Sequence, residues 1–193
     1  MSVYTTLNKN DLQEFLQNFD VGAALDLQGI SDGIENTNYF LTTRHDNDKH
    51  NFVLTIFESI EYKELPFFLE LMAFLADRRI PCAHPIADRH GAYLQKLKSK
   101  PAALVQRLPG HSITQPMLEH CRQVGAMLAK LHLTGRDFPQ VRTNPRGYAW
   151  FGQAADLLRA ELPTADQKLL AAELSLQQTN ATREPLPGGI IHA

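Results

Sequence analysis

Hydrophobic positions along the chain change their spacing four times, and each change marks a change of element. Leu12, Phe15, Leu16 and Phe19 recur at steps of three and four, which predicts an amphipathic helix. Asn8 suits its N-cap, and Asp11 and Glu14 fall in the first turns, where carboxylates meet the positive end of the helix dipole. From residue 24 to 57 the apolar runs become short and rich in β-branched and aromatic residues, at 25–30, 37–43 and 51–57, each bounded by Gly, Asp or Asn. That texture predicts three antiparallel strands joined by hairpins.

Pro66 opens a strongly apolar helix over 67–75, ending near Arg78 and Arg79 ahead of Pro81. Its breadth of apolar surface predicts burial on most sides. Two further strands are predicted at 92–97 and 102–108, linked by a turn at 98–101. Beyond 108–110 the pattern is helical: Leu118, Cys121, Val124, Leu128 and Leu131 mark a helix over 117–133, and weaker helical runs cover 157–162 and 166–177. The expected class is α+β, with a strand-rich lobe at 1–108 and a helical lobe at 109–193. A hinge between lobes is a common place for a ligand cleft.

Composition narrows the function classes. With 193 residues, 44% of them hydrophobic, the chain can fill one sizeable core or two small lobes. Its 19 basic and 21 acidic side chains leave a net charge of −2, so no bulk positive field recruits nucleic acid or an anionic membrane, and neither is an expected partner. Cys82 and Cys121 lack CxxC spacing, the first residues show no basic segment leading into an apolar run, and no stretch reaches the ~18 apolar residues of a membrane span. A cytoplasmic, reduced protein is expected. No heptad pattern indicates an oligomeric state.

The candidate chemistry begins in the hairpin at 29–39, which sets Ser31, Asp32, Gly33, Ile34, Glu35, Asn36 and Asn38 between two strands. Backbone N–H groups in such a turn can wrap a phosphate, because Gly33 tolerates positive φ and permits close approach; an ordinary Asp-Gly hairpin has the same composition. His45, His50, His84, His90, His111, His120 and His132 have no partners at metal-ligand spacing, so no zinc site is expected. Ser31 has no adjacent His–acid pair, which leaves acyl transfer unsupported. Trp150 marks either a substrate-side loop or an aromatic covering surface.

Taken in order, the hairpin, the third strand, the inserted helix, the second hairpin, the Leu108-Pro109-Gly110 hinge, the helix ending Leu131-His132 and the segment Ile190-Ile191-His192-Ala193 resemble the aminoglycoside phosphotransferase-like kinases, and within them the homoserine kinases. The runs 33–40, 53–58, 65–68, 100–105 and 108–110 carry the resemblance, 33–40 being the most specific, and it spans essentially the whole chain. It implies a protein-kinase-like bilobal fold: a five-stranded antiparallel N-terminal lobe with an inserted helix, followed by an incomplete helical C-terminal lobe. The implied reaction moves the γ-phosphoryl of ATP to the hydroxyl of L-homoserine, giving O-phospho-L-homoserine on the way to threonine, with Mg2+ whose ligands are expected beyond this sequence.

The same resemblance places the ATP phosphates against Ser31, Asp32, Gly33, Ile34, Glu35, Asn36, Asn38 and Thr55, and the adenine edge against Val105, Gln106, Arg107 and Leu108. Thr55 stands where many related kinases carry a phosphate-binding lysine. Lys63, Lys96 and Lys98 are candidates to replace that charge, or are solvated surface; Glu70 orients a phosphate-binding side chain, or belongs to the polar stripe of its helix. His192 begins the His-x-Asp pattern of the catalytic loop, whose aspartate is not among these residues, so no catalytic residue is assigned within the 193 and the chain alone is expected to be inactive. Two alternatives stand beside this reading: a kinase of the same fold for another small hydroxyl compound, and a non-catalytic nucleotide-binding module.

Overall fold

Asn8 begins the first helix, α1 (Lys9–Leu16), by a reciprocal pair of bonds: its Oδ1 accepts from the Asp11 amide at 2.9 Å, and Asp11 Oδ2 accepts from the Asn8 amide at 2.9 Å. The helix buries Leu12, Phe15 and Leu16, and Phe19 follows them into the core although it lies beyond the helix end. The fold is that of a computed structural model, which describes residues 3–31, 33–181 and 188–190.

Three strands follow, β1 (Ala23–Gly29), β2 (Asn36–His45) and β3 (Asp48–Phe57). Asp46, at φ 53°, turns β2 into β3. A 3-10 turn at Tyr62–Glu64 leads into α2 (Leu65–Asp77), where Pro66 sits in the first turn, the position at which its missing N–H costs nothing. The strands β4 (Gln95–Leu97) and β5 (Lys100–Gln106) form a hairpin whose turn residues Lys98 and Ser99 both take left-handed φ, 51° and 66°. All pairings are antiparallel in the order β1-β2-β3-β5-β4, and β1 carries a bulge between Ala24 and Asp26. The helices α3 (Leu118–Gly135), α4 (Tyr148–Leu158) and α5 (Thr164–Ala181) complete the described chain.

The five strands and the inserted helix agree with the sequence reading, and four details differ. Strand β4 starts at Gln95, not residue 92, because Asp88 and Ala92 close a local turn: the Asp88 amide donates to the Ala92 carbonyl and the Ala92 amide to Asp88 Oδ1, both at 2.8 Å. Strand β5 ends at Gln106, where the chain leaves the sheet. Helix α4 starts nine residues ahead of the expected run at 157–162, taking in Trp150 and Phe151, so Trp150 lies on a helix with its ring 5.3 Å from that of Phe151. Helix α2 buries only Leu65, Leu69, Ala73 and Leu75, and its other apolar side chains are half-buried.

Two clusters fill the core. On one face of the sheet, α1 covers Tyr39, Leu41, Phe52, Leu54, Ile56, Ala102 and Leu104; on the other, Leu65, Leu69, Leu94 and Ala103 pack with Phe57, Ile60 and Met72. The described chain falls into two compact units divided between Phe138 and Pro139, the first holding the sheet with α1, α2 and α3, the second holding α4 and α5. Phe138 ties α3 to α2 by edge-on contacts with Phe67 and Phe74, at 5.6 and 5.2 Å between ring centres.

Candidate functional site

Alternation along the strands sorts the candidate residues onto two faces. Thr37, Tyr39, Leu41 and Thr43 of β2 are buried, while Asn36, Asn38, Phe40 and Thr42 between them are half-buried and point to the opposite face. Register then aligns Asn38 with Thr55 and Phe40 with Val53 on β3, and Thr55 with Ala103 and Val53 with Val105 on β5. The α2 cluster covers this face only at its Phe57–Ala103 end. A half-exposed strip remains, made of Asn38, Phe40, Val53, Thr55 and Val105, and it runs from the hairpin at residues 30–38 to the end of β5.

The hairpin loop is closed at its base by the Ile30 amide, which donates to the Asn38 carbonyl at 2.9 Å. Gly33 adopts φ +105° with open space where a Cβ would stand, so its glycine character serves backbone conformation and not packing. Ser31, Ile34 and Glu35 are exposed, Asp32 lies outside the described residues, and the Ile34 carbonyl accepts from the Tyr4 hydroxyl at 3.1 Å. Asn36 Oδ1 is buried and has no hydrogen-bond partner among the described residues. Thr55 Oγ1 donates to Asn38 Oδ1 at 2.8 Å.

At the other end of the strip, the Gln106 amide donates to the His84 carbonyl at 2.8 Å and the Arg107 amide to the Asn51 carbonyl at 3.2 Å. An extended residue points its N–H and C=O to the same side, so the Gln106 carbonyl turns away from β3, toward the segment around His84 that is bridged to Val105. The next amide, that of Leu108, has no partner among the described residues. The Arg107 guanidinium lies 3.8 Å over the Phe40 ring, a cation–π contact across the strip.

The lysines considered as replacements for a charge at Thr55 are engaged elsewhere. Lys63 pairs with Glu61 at 2.7 Å, Lys96 stands 5.8 Å from the Tyr62 ring centre, and Lys98 meets Asp11 at 3.3 Å and the Thr6 carbonyl at 3.2 Å. Glu70 is exposed on α2. Among the described residues no three His, Cys, Asp or Glu side chains gather closely enough to hold a metal ion, and His192 lies outside them. A groove of about 960 Å³ lies elsewhere, between α1 and β1; on its rim Asp20 is shared by His45 and Arg89, at 3.8 and 3.5 Å.

Sequence reasoning gave no role to one polar centre. Glu58 Oε1 accepts from Thr5 Oγ1 at 2.8 Å and from Thr37 Oγ1 at 2.6 Å, while Lys100 donates to its other oxygen. Burial alone would push the Glu58 carboxyl up, but the bonds from Lys100, Thr37 and Thr5 outweigh it and hold the group below the ordinary carboxylate value. The available signal was Thr37, a polar residue at a position where the strand alternation demands an inward side chain.

A family model described as the phosphotransferase enzyme family, APH, matches residues 26–193. The chain belongs to this phosphotransferase family. Within the family it is similar to the homoserine kinase of Methylobacillus flagellatus, 44% identical over 193 residues, and to that of a Janthinobacterium species, 41% identical over 196 residues. Each alignment covers the whole of this chain, which spans 59% and 60% of the two relatives. Two solved structures share the fold: an amicoumacin kinase in complex with AMP-PNP and Ca2+ (TM-score 0.65, 16% identity, 92% of this chain and 56% of that one) and a spectinomycin phosphotransferase in complex with ADP and spectinomycin (TM-score 0.59, 18% identity, 92% and 54%). The sheet with its inserted helix is thus the kinase-like fold of a phosphotransferase.

Proposed function

We propose that this chain is the nucleotide-binding part of a homoserine kinase, which transfers the γ-phosphoryl of ATP to the hydroxyl of L-homoserine in threonine biosynthesis. The observation that carries the proposal is the 44% identity to a homoserine kinase across all 193 residues. Residues 1–108 then form the nucleotide-binding lobe and 109–193 part of the helical lobe of a cytoplasmic enzyme. No helix among the described residues is long and apolar enough to cross a membrane.

In this reading ATP lies along the half-exposed strip. The adenine edge meets the backbone of Val105, Gln106, Arg107 and Leu108, where the Leu108 amide has no partner among the described residues, with Val105 and Val53 as apolar contacts and Arg107 alongside. The phosphates lie under residues 31–36, where backbone N–H groups and the open Gly33 allow close approach. What these residues supply is position: they hold the nucleotide in one orientation and limit the water around its phosphates. Magnesium, when bound with ATP, neutralises phosphate charge. The described residues offer no fitting cluster for it, and none of them is assigned to it.

The test is homoserine-dependent ADP formation by the protein that carries this sequence, measured beside a panel of choline and amino-sugar substrates. Turnover in the ordinary kinase range of roughly 1–100 s⁻¹ with homoserine is expected. Turnover with another hydroxyl compound and none with homoserine would overturn the substrate assignment. The 193 residues alone are expected to stay below about 1 s⁻¹.

A further inference from the structure

One short segment, residues 3–7, grips the hairpin between β1 and β2 at both of its stems and inside its loop. On the entering stem, Val3 packs so closely on Gly29 that a Cβ there would stand 2.9 Å from Val3 Cγ2. On the leaving stem, the Tyr4 and Thr5 amides donate to Thr37 Oγ1 at 2.9 and 3.1 Å. Between the stems, the Tyr4 hydroxyl donates to the Ile34 carbonyl at 3.1 Å. The segment is itself anchored at Thr5, whose Oγ1 donates to Glu58 Oε1 and accepts from Lys100 Nζ, both at 2.8 Å, and whose carbonyl accepts from the Tyr39 hydroxyl at 2.7 Å. Thr5 is buried, whereas Tyr4 and Ile34 are exposed. The fixed end of this strap is therefore Thr5, and Tyr4 is the arm that reaches the loop.

We propose that Tyr4 is a positioning residue for the nucleotide: the N-terminal strap sets the hairpin loop, before ATP arrives, in the conformation that covers the phosphates. The inference rests on the nucleotide-binding reading above. A loop that closes on a ligand loses backbone freedom, and one that is already held loses less of it on binding. The Tyr4 bond also keeps the Ile34 carbonyl turned toward the N-terminal segment, and a carbonyl oxygen swung toward the phosphates would repel them. Because both partners are exposed, this bond adds little to the stability of the sheet, and its effect falls on the loop. Tyr4 then acts without touching the nucleotide, through its hold on Ile34.

Tyr4→Phe in the protein that carries this sequence tests this, read by steady-state kinetics with ATP and the accepted hydroxyl substrate, by adenosine inhibition and by amide hydrogen exchange. The KM for ATP is expected to rise about threefold at unchanged kcat, as loss of one ordinary hydrogen bond's worth of preorganisation implies. Amides 33–36 exchange faster, while the melting temperature and the inhibition constant of adenosine, which has no phosphates, keep their wild-type values. Thr5→Val, which frees the strap at its anchor, also raises the KM for ATP. The double variant is then no worse in KM than the more affected single one, because both residues act through one strap. An unchanged KM for ATP with unchanged loop exchange, or losses that add in the double variant, overturns the inference. Faster loop exchange at an unchanged KM for ATP overturns the placement of the phosphates under this loop, and this inference with it. A wild-type protein that turns over no ATP overturns the nucleotide reading first.

Discussion

Glu58 and Thr37 meet at 2.6 Å where the N-terminal segment crosses the sheet, and their contact anchors that segment: Thr37 Oγ1 also accepts the amides of Tyr4 and Thr5, at 2.9 and 3.1 Å. The Glu58 side chain is 12% exposed, so its bonds are little screened. Glu58→Gln is expected to lower stability by roughly 1–3 kcal/mol at pH 7, the scale of hydrogen bonds to a buried charge. Because the folded carboxyl is held below its ordinary value of 4.5, its contribution is present above that value and is lost as pH falls through the depressed folded value. Urea titrations at pH 7 and pH 3 check this: the gap between wild type and variant should shrink in acid, and an equal gap at both would refute the assignment.

Gly22 and Gly33 both have positive φ, for different reasons. A Cβ on Gly22 would stand 2.0 Å from the Arg44 carbonyl oxygen, whereas one on Gly33 meets nothing within 4 Å. Gly22→Ala should cost on the order of 3 kcal/mol, and Gly33→Ala about 1 kcal/mol. Thermal melts that rank the two the other way would contradict the geometry.

Phe138 is the apolar tie between α2 and α3. At 8% exposure its truncation to Ala is expected to cost about 3–5 kcal/mol, and Phe138→Leu clearly less. Denaturant midpoints that place both variants with the wild type would show that the aromatic contacts contribute little.

Helix α3 presents Leu118 and Val124 to solvent at 87% and 58% exposure, on the face that carries Cys121 and Leu128. Such a stripe promotes association. Leu118→Glu with Val124→Lys should leave the melting temperature unchanged and reduce concentration-dependent association of the 193-residue chain in sedimentation. Equal association in both proteins would count against a role for this face.

The fold was legible where local chemistry and pattern agreed. Asn8 and Asp11 announce α1, the runs around Tyr39 and Leu54 alternate as strands must, and Pro66 marks the start of α2. The reading failed where a local bond overrode the pattern, as at Asp88 and Ala92, or where glycines and aromatics hid a helix, as in α4 with Gly152, Trp150 and Phe151. The candidate site was legible as a list of residues and not as an arrangement. That Thr55 engages Asn38 depends on register between strands, and that Glu58 gathers Thr5, Thr37 and Lys100 depends on contacts spanning 53, 21 and 42 positions. No spacing rule along the sequence reaches that far.

The bulge in β1 has a further effect. This strand lies at the sheet's outer edge, with Ala23, Ala24, Leu25 and Asp26 exposed, and an unbroken edge of that kind is a template on which a second molecule can add its own strand. The shift between Ala24 and Asp26 breaks the regular row of donors and acceptors near its start and strengthens the local twist. A molecule arriving at that end of β1 finds no straight ladder to extend, so the irregularity disfavours strand addition there.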